Sequence, residues 1–232
     1  MKLQESYLSD FISLLFPQLC AACGQTLVAN EHLICTECRL TLPRTGFHLQ
    51  PDNIVAQQFW GKIELQGAYA LFYFAKGGKV QNVMHHLKYK GIKELGKLAG
   101  EMAGIDLVKN DVFRSIDLII PVPLHKKRLR ERGYNQSAHF AYGLAAPLNA
   151  TVEENNLVRV AATETQTHKS RFERFNNMQE VFTIKYPEKL KGKHVLLVDD
   201  VITTGSTLEA CGIQLLQIEG LKLSIATIAY AE

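Results

Sequence analysis

The chain has 232 residues, of which 47% are hydrophobic and 21% charged, with 16 glycines and 7 prolines. These proportions allow a buried core, so they exclude fibrous and disordered classes. The length fits one large domain, or one ordinary domain with a small appendage. The formal net charge of +3 is too small to indicate a nucleic-acid partner, although five cations between Lys126 and Arg132 make the basic character local.

The N-terminal segment predicts a helix over about residues 3–16, which Pro17 ends. Its longest apolar run, Phe11–Phe16, is short and interrupted by Ser13. Such a run matches neither a signal peptide nor a membrane span. We therefore expect a cytosolic protein without a membrane span.

Four of the five cysteines form two Cys-x2-Cys pairs, Cys20 with Cys23 and Cys35 with Cys38. Each pair can present two thiolates from one turn, and four thiolates fill a tetrahedral shell without an open position. The pattern therefore predicts structural Zn²⁺ in a small zinc ribbon. Redox-active thiols are the weaker alternative, because a thioredoxin-like motif needs a βαβ context, which this part of the sequence lacks. Cys211 is expected to be a small core residue.

The stretch 42–60 lacks clear periodicity and contains Pro43 and Pro51, which is typical of a linker. We therefore predict a boundary near residue 50, with domains 1–50 and 51–232. Next, residues 68–75 predict a strand, and helix-spaced apolar residues on both sides of Lys88–Gly91 predict two helices.

From residue 116 onward, strand-like and helix-like runs alternate along the chain. The strand-like runs are 116–122, 151–160, 181–186, 195–198 and 223–230, and the helix-like runs are 136–148 and about 207–219. The strand-like runs are nearly continuously apolar, as in strands buried on both faces. This alternation predicts an α/β fold with a mainly parallel sheet flanked by helices.

The most informative motif follows the apolar run Val195–Val198. It consists of two acids and a hydroxyl-rich turn, in full Asp199, Asp200, Thr203, Thr204, Gly205, Ser206 and Thr207. Backbone N–H groups of such a turn and the dipole of the next helix bind a phosphate. Carboxylates repel phosphate but accept hydrogen bonds from ribose hydroxyls or bind Mg²⁺. The predicted ligand is therefore a sugar phosphate.

This motif resembles the phosphoribosyl-diphosphate (PRPP) signature of type I phosphoribosyltransferases. The resemblance implies that Asp199 and Asp200 bind the ribose and are the catalytic pair, and that Thr203–Thr207 surround the 5-phosphate, with Mg²⁺ bound alongside. It also implies a diphosphate loop with a cationic surface, comprising Pro121, Val122, Pro123, Lys126, Arg128 and Arg132. A solvated cationic face or a nucleic-acid contact remains the alternative for these cations.

The same resemblance implies a flexible loop that closes over the ligand, in the polar stretch 161–180. Its candidate residues are Arg159, Thr163, Gln166, Lys169, Arg171 and Arg174.

The chain resembles the competence protein ComF family in four features: the cysteine pairs, Leu87–Gly91, Arg132–Ser137 and the acidic motif. The resemblance spans nearly the whole chain except about 42–66, with departures at Ala161–Ala162 and His168. It implies a zinc ribbon joined to a type I phosphoribosyltransferase-like domain and a role in natural transformation, handling single-stranded DNA. Competence helicase or recombination proteins are the implied partners. It also makes Lys88 and Lys90, which flank Tyr89, candidates for ligand or DNA contact.

Two functions stay open at this stage. The first is an enzyme that transfers the phosphoribosyl group to an acceptor that the sequence does not identify. The second is a non-catalytic module that holds PRPP or single-stranded DNA, with stacking from Tyr89, Tyr134 or Phe172. A PRPP-sensing transcription regulator needs a duplex reader such as a helix-turn-helix, and residues 1–60 show no such pattern.

Overall fold

A computed structural model describes residues 17–160 and 182–231 of the chain. The strands are β1 Gly67–Phe74, β2 Leu118–Pro121, β3 Thr151–Val152, β4 Leu157–Arg159, β5 Phe182–Ile184, β6 His194–Ile202 and β7 Lys222–Ala231. The helices are α1 Thr36–Thr41, α2 Ile54–Gln57, α3 Lys79–Tyr89, α4 Glu94–Leu107, α5 Asp111–Arg114, α6 Lys126–Arg132, α7 Gln136–Leu148 and α8 Ser206–Leu215, with 3₁₀ turns at Phe47–Leu49 and Pro187–Lys189. The helix predicted over 3–16 lies outside the described residues.

Five strands form the main sheet in the order β1-β7-β6-β2-β3, and every neighbouring pair in it is parallel. The central strand β6 is buried at Val195–Val198, and β7 is buried from Leu223 to Tyr230. Strands covered on both faces need no alternation of apolar and polar residues, which explains their continuous apolar runs. The predicted parallel α/β architecture is confirmed.

The two longest helices among the described residues, α4 and α7, pack against each other at glycines, and α7 also contacts β2 and β6. A Cβ on Gly143 would lie 2.0 Å from the carbonyl oxygen of Lys97, and one on Gly100 would lie 2.2 Å from that of Phe140. Only glycine permits this separation of the backbones. No helix within 17–160 and 182–231 is both long and apolar enough to cross a membrane.

The run 151–160, predicted as one strand, forms two. β3 extends the main sheet, whereas β4 pairs with β5 in a separate antiparallel ribbon. Asn156 explains the break: its Nδ2 donates to the Tyr186 carbonyl over 3.0 Å, and its Oδ1 accepts from the Tyr186 N–H over 2.8 Å. Such side-chain bonds to the backbone compete with the strand ladder, so the chain turns away from the main sheet here.

Residues 42–60, predicted as a linker, instead pack against β1. Thr45 Oγ1 donates to the Ala70 carbonyl over 2.5 Å, and Asn53 Nδ2 donates to the Ala68 carbonyl over 2.8 Å. The large buried apolar residues of this segment, which anchor it to the sheet, are Leu42, Phe47, Val55 and Phe59. Because these anchors are irregularly spaced, they leave no periodic pattern, and the linker interpretation was wrong. The boundary near residue 50 stays a prediction.

Candidate functional site

The two acids of the motif lie on the last part of β6, where the strand reaches the carboxyl edge of the sheet. Asp199 Oδ1 accepts hydrogen bonds from Ser137 Oγ over 2.9 Å and from the Asp200 N–H over 2.8 Å. Ser137 belongs to the first turn of α7. The Asp199 carboxylate is thus oriented by a neighbouring helix, and both acids line the cleft described below.

The turn after β6 forms a small concave cradle at the start of α8. It has a volume of about 50 Å³ and is lined by Asp199 and Val201–Leu208. Gly205 caps α8 with φ +72°, a conformation that favours glycine. Thr204 Oγ1 and Ser206 Oγ lie 2.9 Å apart. Thr203–Thr207 therefore line a concave turn at the N-terminus of α8, the kind of position at which helices bind anions.

The segment before β1 supports this turn from behind. Gln58 Nε2 donates to the Thr203 carbonyl over 2.9 Å. The Phe59 ring lies so close that a Cβ on Gly205 would be 3.0 Å from it. Sequence reasoning missed both residues, because a contact across 145 positions of the chain leaves no local signal.

A cleft of about 310 Å³ joins the acids to the diphosphate loop and to several cations. It is lined by Lys88, Val122, Pro123, Leu124, Arg128, Arg132, Ser137, Arg159, Asp199, Asp200, Val201, Thr203 and Thr207. Four residues of the predicted diphosphate loop and cationic surface thus line the same cleft as the acids, namely Val122, Pro123, Arg128 and Arg132. Pro121 ends β2 and Lys126 begins α6, and neither is among the lining residues.

Lys88 contributes a cation that local spacing does not reveal. Its Nζ lies 3.0 Å from Asp200 Oδ2, and both side chains are largely buried. The residue comes from the last turn of α3, far from the motif in sequence. Only the family resemblance marked it as a candidate. The ammonium group neutralises the Asp200 carboxylate.

The electrostatics of the cleft shift the titration of Asp199. Burial raises the pKa of its carboxyl to about 7, and the charge of Asp200 acts in the same direction. The Asp200 N–H, the Ser137 hydroxyl and the Lys88 ammonium oppose this rise. Asp199 therefore changes its charge near neutral pH.

Arg159 is the candidate of the flexible loop that the structure describes, at the end of β4. Its guanidinium lies 5.4 Å from the centre of the Phe182 ring. Burial lowers its pKa, and the charge of Arg128 adds to this effect. The other candidates lie outside the described residues, namely Thr163, Gln166, Lys169, Arg171 and Arg174.

The four paired cysteines form one cluster whose ligand atoms all lie within 4.8 Å of one another. Cys23 Sγ and Cys35 Sγ are 3.8 Å apart, and tetrahedral Zn²⁺ with Zn–S bonds of about 2.3 Å needs this spacing. Burial raises the pKa of Cys20, but N–H groups of Cys23, Cys35 and Ala22 outweigh it and lower the pKa to about 6. Burial and the neighbouring thiols raise the pKa of Cys38. The fit to structural zinc therefore rests on four sulfur atoms held close together. Cys211 is fully buried, as predicted.

The cysteine cluster and the cleft are joined through α3. Asn82 Nδ2 donates to the Ala22 carbonyl, between the first two cysteines, over 2.8 Å. Lys88, six residues further along the same helix, reaches Asp200. One helix thus contacts the ribbon from its first half and Asp200 from its last turn.

Two family models match the chain: a phosphoribosyl transferase domain over residues 135–232 and a double zinc ribbon domain over residues 11–48. The ribbon match contains the four cysteines of the single cluster found in the described residues.

Among curated proteins, three similar chains represent the matches. "Competence protein ComFC" of Bacillus subtilis is 32% identical over 198 residues, which cover 82% of this chain and 68% of that protein. "DNA utilization protein YhgH" of Escherichia coli K12 is 26% identical over 193 residues, which cover 82% and 80%. "Competence protein F" of Haemophilus influenzae is 36% identical over 113 residues, which cover 45% and 49%.

Among solved structures, adenine phosphoribosyltransferase of Leishmania tarentolae is 14% identical with a TM-score of 0.39, covering 82% of this chain and 94% of that one. An allosteric regulatory enzyme of purine biosynthesis is 18% identical with a TM-score of 0.39, covering 56% of this chain. The match spans only 26% of the length of that enzyme.

Proposed function

Because the chain belongs to the competence protein ComF family, we propose that it binds Mg²⁺–PRPP in the cleft at the end of β6 and handles single-stranded DNA during DNA uptake. The observation that carries the PRPP proposal is the meeting of three groups in one cleft of about 310 Å³: an acid pair, four cations, and Thr203 and Thr207 from the turn after β6. A ligand with a sugar between two phosphate-bearing ends matches this arrangement.

Each group has a separate task in this proposal. The turn Thr203–Thr207 binds the 5-phosphate through backbone N–H groups at the start of α8. Asp199 and Asp200 accept hydrogen bonds from the ribose hydroxyls. The cations Lys88, Arg128 and Arg132 face the diphosphate. Lys88 therefore exchanges its carboxylate partner for the ligand when the cleft fills.

The acid pair also suits Mg²⁺, since hard cations prefer carboxylate oxygens. When bound, Mg²⁺ neutralises charge on the departing diphosphate. The contribution of the chain itself is positioning and preorganised charge, with Arg128, Arg132 and Arg159 aimed at one cleft. Transfer of the phosphoribosyl group to an acceptor is the enzymatic form of the proposal, and the acceptor is unassigned.

The DNA part of the proposal is supported by the relatives named for competence and DNA utilization. It is also supported by the cations of the cleft, because phosphate contacts dominate nucleic-acid affinity. We place the protein in the cytosol, where competence helicase or recombination proteins are the expected partners.

Calorimetric titration of Mg²⁺–PRPP into the full chain tests the small-molecule part. We expect binding by the wild type and at least a tenfold loss with Asp199→Asn/Asp200→Asn, because the ribose loses its acceptors. Glu188→Gln, an exposed acid on the turn before β6, is the matched control and should bind as the wild type does. Wild type that does not bind, or a double variant that binds equally well, contradicts the proposal.

The ion pair between Lys88 and Asp200 favours a second candidate, a non-catalytic module. An ammonium group that already neutralises Asp200 lets the cleft hold an anion without turnover. Pyrophosphate release from Mg²⁺–PRPP, measured with and without single-stranded DNA, separates the two. Release above the double-variant blank establishes an enzyme, and binding without release establishes the module.

A further inference from the structure

We propose that the exposed ring of Tyr89, at the end of α3, is a stacking platform for a base of single-stranded DNA. The backbone of that DNA follows three cations, Lys88, Arg128 and Arg132, which we call the cation path. The choice of single-stranded DNA rests on the proposed function. The location, and the choice of Tyr89 among the aromatic residues that the sequence offers for stacking, come from the geometry below.

The first observation is a second cavity beside the cleft. It has a volume of about 440 Å³ and is lined by Lys88, Tyr89, Gly91, Arg128, Glu131 and Arg132. The three residues of the cation path line both this cavity and the cleft that contains the acids. Positive charge therefore runs from the acids to the ring. Single-stranded nucleic acid is bound by this combination of a cationic track and an aromatic face.

The second observation is the setting of the ring. Tyr89 is 66% exposed, although the Arg132 guanidinium lies 5.5 Å from its centre and the His85 ring lies 5.3 Å away at an angle of 45°. Arg132 is itself held by Gln136 Oε1, which accepts from its Nη1 over 2.8 Å. The ring is thus held in place before any ligand arrives, which reduces the entropy cost of binding.

The third observation is the backbone beyond the ring. Gly91 has φ +73°, and a Cβ placed on it would find no atom within 4 Å. This glycine lies two residues after Tyr89, the last residue of α3, and leaves open space where a side chain would stand. The cavity therefore stays open next to Tyr89. Glu131, the acid among the lining residues, repels phosphate and favours a backbone that keeps to the cation path.

An exposed tyrosine beside a cation is common, and this chain has a second example that serves as a comparison. Tyr186 is 47% exposed, and the Lys189 ammonium lies 4.6 Å from the centre of its ring. Tyr186 is not among the residues that line the cleft or the cavity beside it. The two tyrosines share local chemistry and differ in their connection to the cation path, so Tyr186 is the matched control.

The test measures the affinity of the full chain for single-stranded oligonucleotides of about sixteen nucleotides, within the known range of site sizes, by fluorescence anisotropy. One oligonucleotide carries thymine bases, and the other has the same backbone with abasic residues. The variants are Tyr89→Ala, Tyr89→Phe and Tyr186→Ala, each checked by thermal unfolding. We expect Tyr89→Ala to weaken binding of the thymine oligonucleotide about tenfold, while Tyr89→Phe and Tyr186→Ala bind as the wild type does.

The abasic oligonucleotide separates stacking from a general effect on the surface. We expect it to bind the wild type and Tyr89→Ala equally, because it offers no base to the ring. The proposal is overturned if Tyr89→Ala binds the thymine oligonucleotide as well as the wild type does. It is also overturned if the variant loses both oligonucleotides by the same factor, or if Tyr89→Phe fails like Tyr89→Ala.

Titration of Mg²⁺–PRPP into the same preparations distinguishes this proposal from the proposed function. Suppose that Tyr89→Ala still binds PRPP and binds the thymine oligonucleotide as tightly as the wild type does. That result overturns the platform alone. A wild type that binds no single-stranded DNA overturns the platform together with the DNA part of the proposed function. A wild type that binds DNA with the expected base effect but no PRPP supports the platform and overturns the PRPP part.

Discussion

Asp199 illustrates how single residues set the chemistry of this cleft. Its carboxyl accepts bonds from Ser137 and from the Asp200 N–H, and burial raises its pKa to about 7. The sequence predicted that Asp199 and Asp200 lie at the end of a buried strand, because such a strand followed by two acids and a hydroxyl-rich turn is a local pattern. It did not identify Ser137 as the partner of Asp199 or predict the ion pair of Lys88, because these contacts join distant elements.

The shifted pKa of Asp199 predicts how ligand affinity and stability depend on pH. We expect the affinity for Mg²⁺–PRPP to rise between pH 6 and 8, about the pKa of 7, because the ionised carboxylate is the better acceptor. Stability changes in the opposite direction. The pKa of Asp199 is about 7 in the folded state and about 3.9 in the unfolded state, so between these pH values the folded state binds more protons. The contribution of this group to stability therefore decreases as pH rises through this range.

Calorimetry and urea unfolding at several pH values test both trends. Asp199→Asn should remove this group's part of the decrease in stability, while Glu188→Gln should keep it. A wild-type affinity that is flat from pH 6 to 8 would contradict the assignment of the titrating group to Asp199.

At the scale of elements, hydrophobic runs predicted most of the sheet and the helices that cover it. The predicted helix 136–148 coincides with α7, and residues 68–75 closely match β1. The run 151–160 divided because one buried side chain, Asn156, holds the backbone of Tyr186. The junction of β6 and α8 was predictable for a related reason: glycine and hydroxyl residues specify a turn locally, whatever the rest of the chain does.

Gly205 permits a test of this junction. Gly205→Ala should destabilise the fold by about 1–2 kcal/mol because its φ of +72° disfavours other residues, and the new Cβ would also press on Phe59. We expect displacement of the turn and a loss of Mg²⁺–PRPP affinity of tenfold or more. Gly192→Ala, with φ +69° and no atom within 4 Å of the Cβ, should show the backbone cost alone. Equal PRPP affinities for the two variants would refute the role of the Phe59 contact.

At the scale of the whole molecule, the segment after the cysteine cluster ties the ribbon to the sheet. Arg44 Nη1 lies 2.9 Å from Asp106 Oδ2, and the Tyr69 hydroxyl donates to the same oxygen over 3.0 Å. Asp106 and Tyr69 are buried, and burial raises the pKa of Tyr69. The sequence did not predict this connection, because the anchors of residues 42–60 are few and irregularly spaced and looked like a linker.

This connection predicts that loss of zinc destabilises the sheet as well as the ribbon. Cys38→Ser removes one of four thiolates, so the ribbon should open and α1, which leads into Arg44, should loosen. The backbone of Arg44 stays beside β1 through its bridge to Phe72, so the ion pair of Arg44 with Asp106 should be weakened in part. Breaking a buried ion pair costs about 3–5 kcal/mol, and the 36% exposure of Arg44 argues for about 2 kcal/mol here. For a chain of this length that is about 4–8 °C in Tm. We therefore expect a single calorimetric transition at lower temperature.

The control and the opposing result follow from the same geometry. Leu40→Ala changes a residue of α1 that is 81% exposed, next to the cluster but outside the contact with Asp106, and should leave Tm nearly unchanged. Asp106→Asn should lower Tm by a similar amount with zinc still bound, because it weakens the connection from the other side. Two separate transitions in Cys38→Ser, with the upper one at the wild-type temperature, would mean that the ribbon and the sheet unfold independently. The contact of Arg44 with Asp106 would then contribute nothing to their coupling.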